Sequence, residues 1–532
     1  MVAEKPSVAQ TIGKVLGATS RKDGYLEGEA YLVSWCVGHL VGLANASVYD
    51  QRYAKWRYDD LPIIPEKWLY EVPKDKMQQF KVLSALMKDK RVTELVCATD
   101  AGREGELIFR LVYQKAGCRK PFKRLWISSL EDSAIRDGFR HLRDSSEFDR
   151  LYEAALSRSK ADWIVGINGT RLFSTLYHKK LVVGRVQTPT LAMLVERDGK
   201  ITTFRKEKYF NVHIQKDGLK ASLEKIKTED EAKRIAEACD KKQASVSSLK
   251  KERKTVNPPK LYDLTTLQRE ANRYFSFTAQ QTLDLVQSLY EKKLLTYPRT
   301  DSQFITDDME GTVRQVISIL CRKLPLFDGV AYTPDIDRIS NNAKVTDHHA
   351  ILPTVQVETL DIAELPESEQ KILRLVATRL ICATGEKHIY DETTLTVSCE
   401  GSLFTAKGKT VVQDGWKGIE QRFKATLKNK EKEEPEAVLP EVTEGDILQN
   451  VVSSVSEHFT SPPKAFTEDT LLSAMESAGN EAFDDETEKK GLGTPATRAG
   501  IIEKLVKGGF AERKGKSLIP TKDGLNLVCV LP

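Results

Sequence analysis

The sequence predicts a multidomain protein of mixed α/β and α+β class. Three observations carry that expectation. A chain of 532 residues exceeds what one hydrophobic core accommodates, so several domains are expected. Two stretches, near residues 1–16 and 92–112, read as a short apolar strand, a polar turn and then a helix, the repeating unit of a parallel α/β sheet. Further on the pattern changes to short strands within 205–255 and 360–460, and to a helical winged or hairpin segment over 467–515.

Composition narrows the class. Hydrophobic residues make up 40% and charged residues 30%, as in an ordinary globular protein. No apolar run approaches a membrane span, and the first residues lack the charged-then-apolar layout of a signal peptide, so the expectation is a cytoplasmic protein with no membrane partner. The eight cysteines lie far apart with no CxxC pair, which argues against a zinc finger and for packing roles in a reducing compartment. Net charge is +5, from 81 basic and 76 acidic residues. Such a balance permits nucleic-acid binding through local patches without arguing for it.

In chain order, Val8, Ile12, Val15 and Leu16 recur at helical spacing, and Pro6 and Ser7 suit the first turn of that helix. Glu4 and Lys5 then fall in the turn between a strand and a helix, where ligands bind in α/β sheets; an exposed ion pair is the plainer reading. Only three residues precede Glu4, so the first strand looks clipped. A second strand is expected over Tyr31–Trp35, followed by a turn at Gly38-His39-Leu40 in which His39 reads as a structural residue. Residues 51–70, rich in aromatic residues and proline, read as an irregular covering segment.

Leu95 to Ala98 reads as a buried parallel strand, and Glu104 onward as a helix, so Asp100 and Glu104 bracket a strand-to-helix turn. Carboxylates there can hold Mg²⁺, which prefers hard oxygen ligands. The helix dipole alone also accounts for Glu104 and Glu106, though not for Asp100. Residues 151–180 read as a helix with Arg158 and Asp162 one turn apart on one face. Arg185, Gln187 and Thr188 lie on a short polar segment before a helix at Leu191–Glu196; they are donors that can grip phosphates or base edges. A helix is expected over 229–242, then a basic linker through Lys250–Lys254 and Asn257–Lys260, then two helices, Thr265–Phe275 and Thr278–Lys293.

Those helices lead into Leu294-Leu295-Thr296-Tyr297-Pro298-Arg299-Thr300-Asp301-Ser302. A tyrosine hydroxyl is a usable nucleophile toward phosphorus when a cation lowers its pKa and stabilises charge on the phosphate. Arg299 has the planar fork for that task, and Pro298 keeps Tyr297 extended. A Tyr-Pro pair in a turn is also a common structural device. His348 and His349 are adjacent, so on a regular element they point apart and cannot serve one site. Lys428–Glu436 reads as an exposed loop, and Thr494-Pro495 opens a helix at Ala496–Lys507.

Glu4-Lys5-Pro6-Ser7, taken with Ala98-Thr99-Asp100-Ala101-Gly102-Arg103-Glu104-Gly105-Glu106, resembles the Toprim domain of type IA DNA topoisomerases, most closely bacterial topoisomerase III. Further matches follow in family order: Arg124-Leu125-Trp126-Ile127-Ser128-Ser129-Leu130, Asp162–Asn168, Gly184–Thr190, the Tyr297 stretch, Asp347–Pro353 and Gly491–Arg498. The resemblance covers nearly the whole chain. It implies a toroid of four parts: a Rossmann-like Toprim domain at 1–150, a winged-helix-like base with a single-strand groove at 151–204 and 463–532, a strand-rich hinge at 205–255 and 360–462, and a nucleophile domain at 256–359. It also implies that family members continue beyond Pro532, so a chain trimmed at both ends is expected.

By the same resemblance, Tyr297 attacks single-stranded DNA and forms a transient 5′-phosphotyrosyl link. A second strand passes, and the break is resealed without ATP. Glu4 and Lys5 handle a proton and a phosphate, Arg299 and His348 neutralise the reacting phosphate, and Asp100, Glu104 and Glu4 hold Mg²⁺. Arg158, Asp162, Arg185, Gln187, Thr188, Thr497 and Arg498 line the DNA path. The implied substrates are single-stranded, negatively supercoiled and catenated DNA. A monomer is expected, with a RecQ-type helicase or single-strand-binding protein as the suggested partner. One departure stands out: Gly102 occupies the position of the family's middle acid, and Glu106 or Glu4 is the candidate replacement ligand. Two rivals follow from the residues, another Toprim enzyme such as a nuclease or primase, and a non-catalytic single-strand-binding protein.

Overall fold

The computed structural model of the protein describes residues 1–329, 333–345, 348–427, 439–480 and 491–531. Asp347 and the stretch 428–436, expected above to be a loop, lie outside the described residues.

The first lobe is built on a seven-stranded sheet. The first strand, Val2–Ala3, has two residues, yet it sits at the centre, parallel to Leu32–Trp35 on one side and Leu95–Ala98 on the other. Pairing on both edges compensates for its length. Leu95–Ala98 is buried throughout, as its unbroken apolar run requires. Helices Pro6–Val15 and Arg103–Lys115 follow the two central strands, with Pro6 in the first turn. Ala3 is in register with Ala98, so the turns that follow, carrying Glu4 and Asp100, emerge side by side at the carboxyl edge of the sheet.

The base lobe contains the 28-residue helix Asp149–Leu176, helices Gln187–Thr202, Glu468–Ser477 and Pro495–Lys507, and a three-stranded sheet of Phe466–Thr467, Ala511–Lys514 and Ser517–Pro520. The helix expected from Leu191 starts four residues earlier, at Gln187. Gln187 and Thr188 therefore belong to its first turn. Thr188 Oγ1 accepts the Gly184 N–H at 3.0 Å, and Pro189 is tolerated because first-turn N–H groups have no helical partner.

The strand-rich lobe is a seven-stranded sheet whose strands are longer than expected, reaching thirteen residues at Ala244–Val256. Lys250–Lys254 is not a linker: it lies inside that strand, paired antiparallel with His388–Cys399. The charges are accommodated across and along the strand, Arg253 on Asp391 at 2.9 Å and Lys254 on Glu252 at 2.5 Å. This lobe joins the base through two adjacent segments, 203–207 and 460–465. They are stitched by Thr460 N–H to the Glu207 carbonyl and Glu207 N–H to Thr460 Oγ1, both 2.9 Å.

The tyrosine lobe has a core running from Leu261 to Phe423. It includes Glu367–Ala383, a helix the sequence reading assigned to the strand-rich part; Ile372, Leu373, Leu375, Val376, Ala377, Leu380 and Ile381 are all buried in the tyrosine lobe's core. Its apolar residues surround most of the helix, and a one-sided periodicity is lost in such a fully packed element. The division expected at 359/360 thus falls inside one core. Contacts close the circuit of lobes, from the first sheet through the base and strand-rich lobes to the tyrosine lobe and back to the first, where the Tyr297 N–H donates to the Ser128 carbonyl at 3.1 Å. Among the described residues no helix is long and apolar enough to cross a membrane.

Candidate active site

A cavity of about 680 Å³ opens where the first, base and tyrosine lobes meet. Glu4, Asp100 and Glu104 enter it from the first lobe, Tyr297, Arg299 and His348 from the tyrosine lobe, and Arg158, Thr497 and Arg498 from the base. Residues scattered over nearly five hundred positions converge there.

Tyr297 lies between Leu295, which bridges to Pro353, and Pro298, in extended backbone rather than a helix. Its side chain is 6% exposed, and its hydroxyl donates to Asp100 Oδ2 at 3.0 Å. Arg299 Nη1 stands 3.3 Å from Asp100 and 3.8 Å from Glu4. Burial, and next the Asp100 charge, push the Tyr297 phenol well above its ordinary value, with Arg299 opposing them. The Tyr297 hydroxyl is therefore protonated while the lobes are closed. Burial and the neighbouring Asp100 carboxylate raise the Glu4 carboxyl to about 8, so at neutral pH it carries a proton. His348 is 3% exposed, with its ring 4.2 Å from that of Tyr297; burial lowers its imidazole to about 4.

The turn bearing Asp100 is shaped from behind. Gly105 is required because a Cβ there would stand 2.0 Å from the Asp100 carbonyl oxygen. Arg124, fully buried, donates to the carbonyls of Cys97, Thr99 and Asp100 at 3.0, 2.7 and 2.6 Å. Glu106 pairs with Arg124 at 3.1 Å and Arg110 at 2.7 Å and is wholly enclosed. Glu106 therefore faces the interior of the lobe and cannot substitute for a ligand at Gly102. Gly102 itself has φ +152, a conformation that disfavours any side chain.

Several expected residues take other positions. Lys5 does not line the cavity; its Nζ is 3.8 Å from Glu291 of the tyrosine lobe. Glu104 is 3.6 Å from both His39 and Arg158; His39 chiefly, with Arg158, holds its carboxyl below the usual range against partial burial. Asp162 accepts from Arg185 at 2.8 Å on a half-exposed surface beside Arg158. Thr497 Oγ1 accepts the Thr494 N–H at 3.0 Å. Arg498 is 2% exposed, with donors on Thr265 Oγ1 at 2.9 Å and the Leu492 carbonyl at 3.1 Å, so it braces the loop at the cavity wall. His39 was read as structural, yet it lines the cavity; its place just beyond a strand of the same sheet was the available signal. Ser128 and Arg124 stand within the motif Arg124–Leu130, which carries no local signal for these contacts.

A model of the DNA topoisomerase family matches residues 146–532, and a Toprim domain model matches residues 1–130. The chain belongs to the type IA DNA topoisomerase family. This topoisomerase is 40% identical to the DNA topoisomerase 3 of Bacillus licheniformis and to that of Bacillus subtilis, in alignments covering all of this chain and 75% of each relative. The full-length topoisomerase I from Thermotoga maritima shares the toroidal fold, with a TM-score of 0.71 over 98% of this chain and 80% of that one at 24% identity. The Toprim fold is one that typically binds Mg²⁺. The topoisomerase offers Asp100 and Glu104 as hard oxygen donors on one turn, which suits an ion that uses one or two carboxylates and keeps water. Among the described residues no three acidic, histidine or cysteine side chains converge into a ready-made cage.

Proposed function

We propose that this type IA topoisomerase cleaves with Tyr297 and that the cavity between the three lobes is its reaction chamber. The observation that carries the reading is the Tyr297 hydroxyl donating to Asp100 across the lobe boundary at 3.0 Å. The Tyr297 oxygen attacks a phosphodiester of a single strand, the P–O3′ bond breaks, and a 5′-phosphotyrosyl link forms. Asp100 takes the phenolic proton. Glu4, protonated at neutral pH, gives a proton to the departing 3′ oxygen. Resealing runs the same transfers backwards, and the covalent link conserves the bond energy, so ATP is not needed.

Arg299 and His348 stabilise charge on the attacked phosphate. Lys5 joins them once the tyrosine lobe carries Glu291 away. Arg158, Asp162, Arg185, Gln187 and Thr188 line the single strand's path, while Thr497 and Arg498 hold the wall facing it. Asp100 and Glu104 hold Mg²⁺, which when bound supplies charge neutralisation for aligning the broken ends. The substrates are single-stranded, negatively supercoiled and catenated DNA, with a monomer acting in the cytoplasm at the nucleoid and a RecQ-type helicase or single-strand-binding protein as partner.

The test is trapping on a denaturing gel with a 3′-labelled oligonucleotide. Wild type gives a protein-linked band that Tyr297→Phe abolishes. Cleavage without a shifted band marks a Toprim nuclease, and neither product marks a binding protein.

A further inference from the structure

Ser128 belongs to the first lobe, four residues beyond the strand Phe122–Arg124, yet it holds two groups of the tyrosine lobe at once. Its carbonyl accepts the Tyr297 N–H at 3.1 Å, and its hydroxyl stands 3.0 Å from His348 Nδ1. The other ring nitrogen, Nε2, meets the Ala101 carbonyl. A carbonyl oxygen only accepts, so Nε2 carries the proton. In a neutral imidazole Nδ1 is then the lone-pair nitrogen, and the Ser128 hydroxyl donates to it. The ring is flanked by Tyr297 at 4.2 Å and by Trp126, whose plane lies within 10° of it at 6.3 Å. The tautomer of His348 is thus set from the opposite lobe, by Ser128 and Ala101, and its plane is held between Trp126 of that lobe and Tyr297 of its own.

We infer that Ser128 is a positioning residue for strand transfer, its hydroxyl engaging Nδ1 so that His348 keeps its Nε2 proton for a phosphate oxygen when the Ala101 carbonyl is displaced. The inference rests on His348 being a phosphate contact. An Nε2–H offers a donor to a phosphate oxygen, whereas a lone pair at that atom repels one. With the lobes closed, the Ala101 carbonyl occupies that donor; an arriving phosphate oxygen takes the carbonyl's place. Each time the lobes separate and meet again, the hydroxyl resets the ring to the same tautomer before resealing. The Ser128 carbonyl sets the Tyr297 backbone in the same movement, so nucleophile and phosphate donor are indexed to one residue.

Ser128→Ala removes the hydroxyl and leaves the carbonyl that holds Tyr297. With ¹⁵N-histidine-labelled protein, wild type should show His348 protonated at Nε2 with its Nδ1 signal displaced by an accepted hydrogen bond, and Ser128→Ala the same tautomer, still held by the Ala101 carbonyl, with that displacement lost. In single-turnover cleavage at saturating oligonucleotide the rate should fall roughly fivefold to tenfold, the effect of one lost hydrogen bond, with the half-saturating concentration unchanged. Ser128→Thr, which keeps the hydroxyl, should restore both readouts. His348→Ala is measured alongside: wild-type cleavage there rejects the phosphate role of His348 itself. Where His348→Ala is slow, the role of Ser128 is overturned by a Ser128→Ala enzyme that keeps the hydrogen-bonded Nδ1 signal or the full rate, by one that loses only oligonucleotide affinity, or by a Ser128→Thr enzyme that stays slow.

Discussion

Asp100 Oδ2 accepts the Tyr297 hydroxyl hydrogen at 3.0 Å although 197 positions separate the two residues. The contact keeps the Tyr297 hydroxyl protonated against a carboxylate that can accept its hydrogen.

Replacing Asp100 with Asn removes the proton acceptor and the negative neighbour together. The Tyr297 phenol should then titrate lower, while single-turnover cleavage falls by about 10² or more because no base takes the proton. An unchanged cleavage rate would show that the proton goes elsewhere.

Glu4 makes stability depend on pH. Its folded value is about 8 against an ordinary 4.5. Across that window the folded chain holds a proton that the unfolded chain has released. Stability contributed by this group is full below pH 4.5, falls as pH rises through 8, and levels off above. The loss is on the order of a few kcal/mol. Glu4→Gln should flatten the decline in melting temperature between pH 6 and 9, read by calorimetry.

Glu106→Gln should unfold the first lobe more readily without weakening Mg²⁺ binding. It breaks a wholly buried pair with Arg124, a change that costs about 3–5 kcal/mol. Thermal denaturation and Mg²⁺ calorimetry separate the two effects. Weaker Mg²⁺ binding in a folded Glu106→Gln protein would return Glu106 to the ligand set.

Arg158 and Arg498 should fail differently. Arg158→Ala exposes a groove residue to loss of a phosphate contact, so oligonucleotide binding weakens and its salt dependence falls by about one unit of slope. Arg498→Ala empties a buried bracing position, lowering thermal stability by roughly 2–4 kcal/mol with the salt slope intact. Fluorescence anisotropy over a salt series, with a melting curve for each variant, checks both.

Much of this was legible in the residues themselves. The Leu95–Ala98 run and the helical spacing after Glu104 placed Asp100 and Glu104 on one turn, because a buried strand and an amphipathic helix leave different periods. The Tyr297 segment was legible once Pro298 excluded a helix. What escaped was set by tertiary contact. Lys250–Lys254 looks solvated until Asp391 is placed opposite it, and Glu106 looks like a surface acid until Arg124 arrives from the next strand. Ser128 has no local signature, since its two partners come from Tyr297 and His348.

The stitched pair of segments at Glu207 and Thr460 bears on repair fidelity. Two antiparallel tethers bonded side by side bend together more readily than either slides past the other. A severed DNA end carried by a lobe on such a paired tether is limited in the paths by which it can return, so accurate rejoining depends in part on a ribbon remote from any reacting atom.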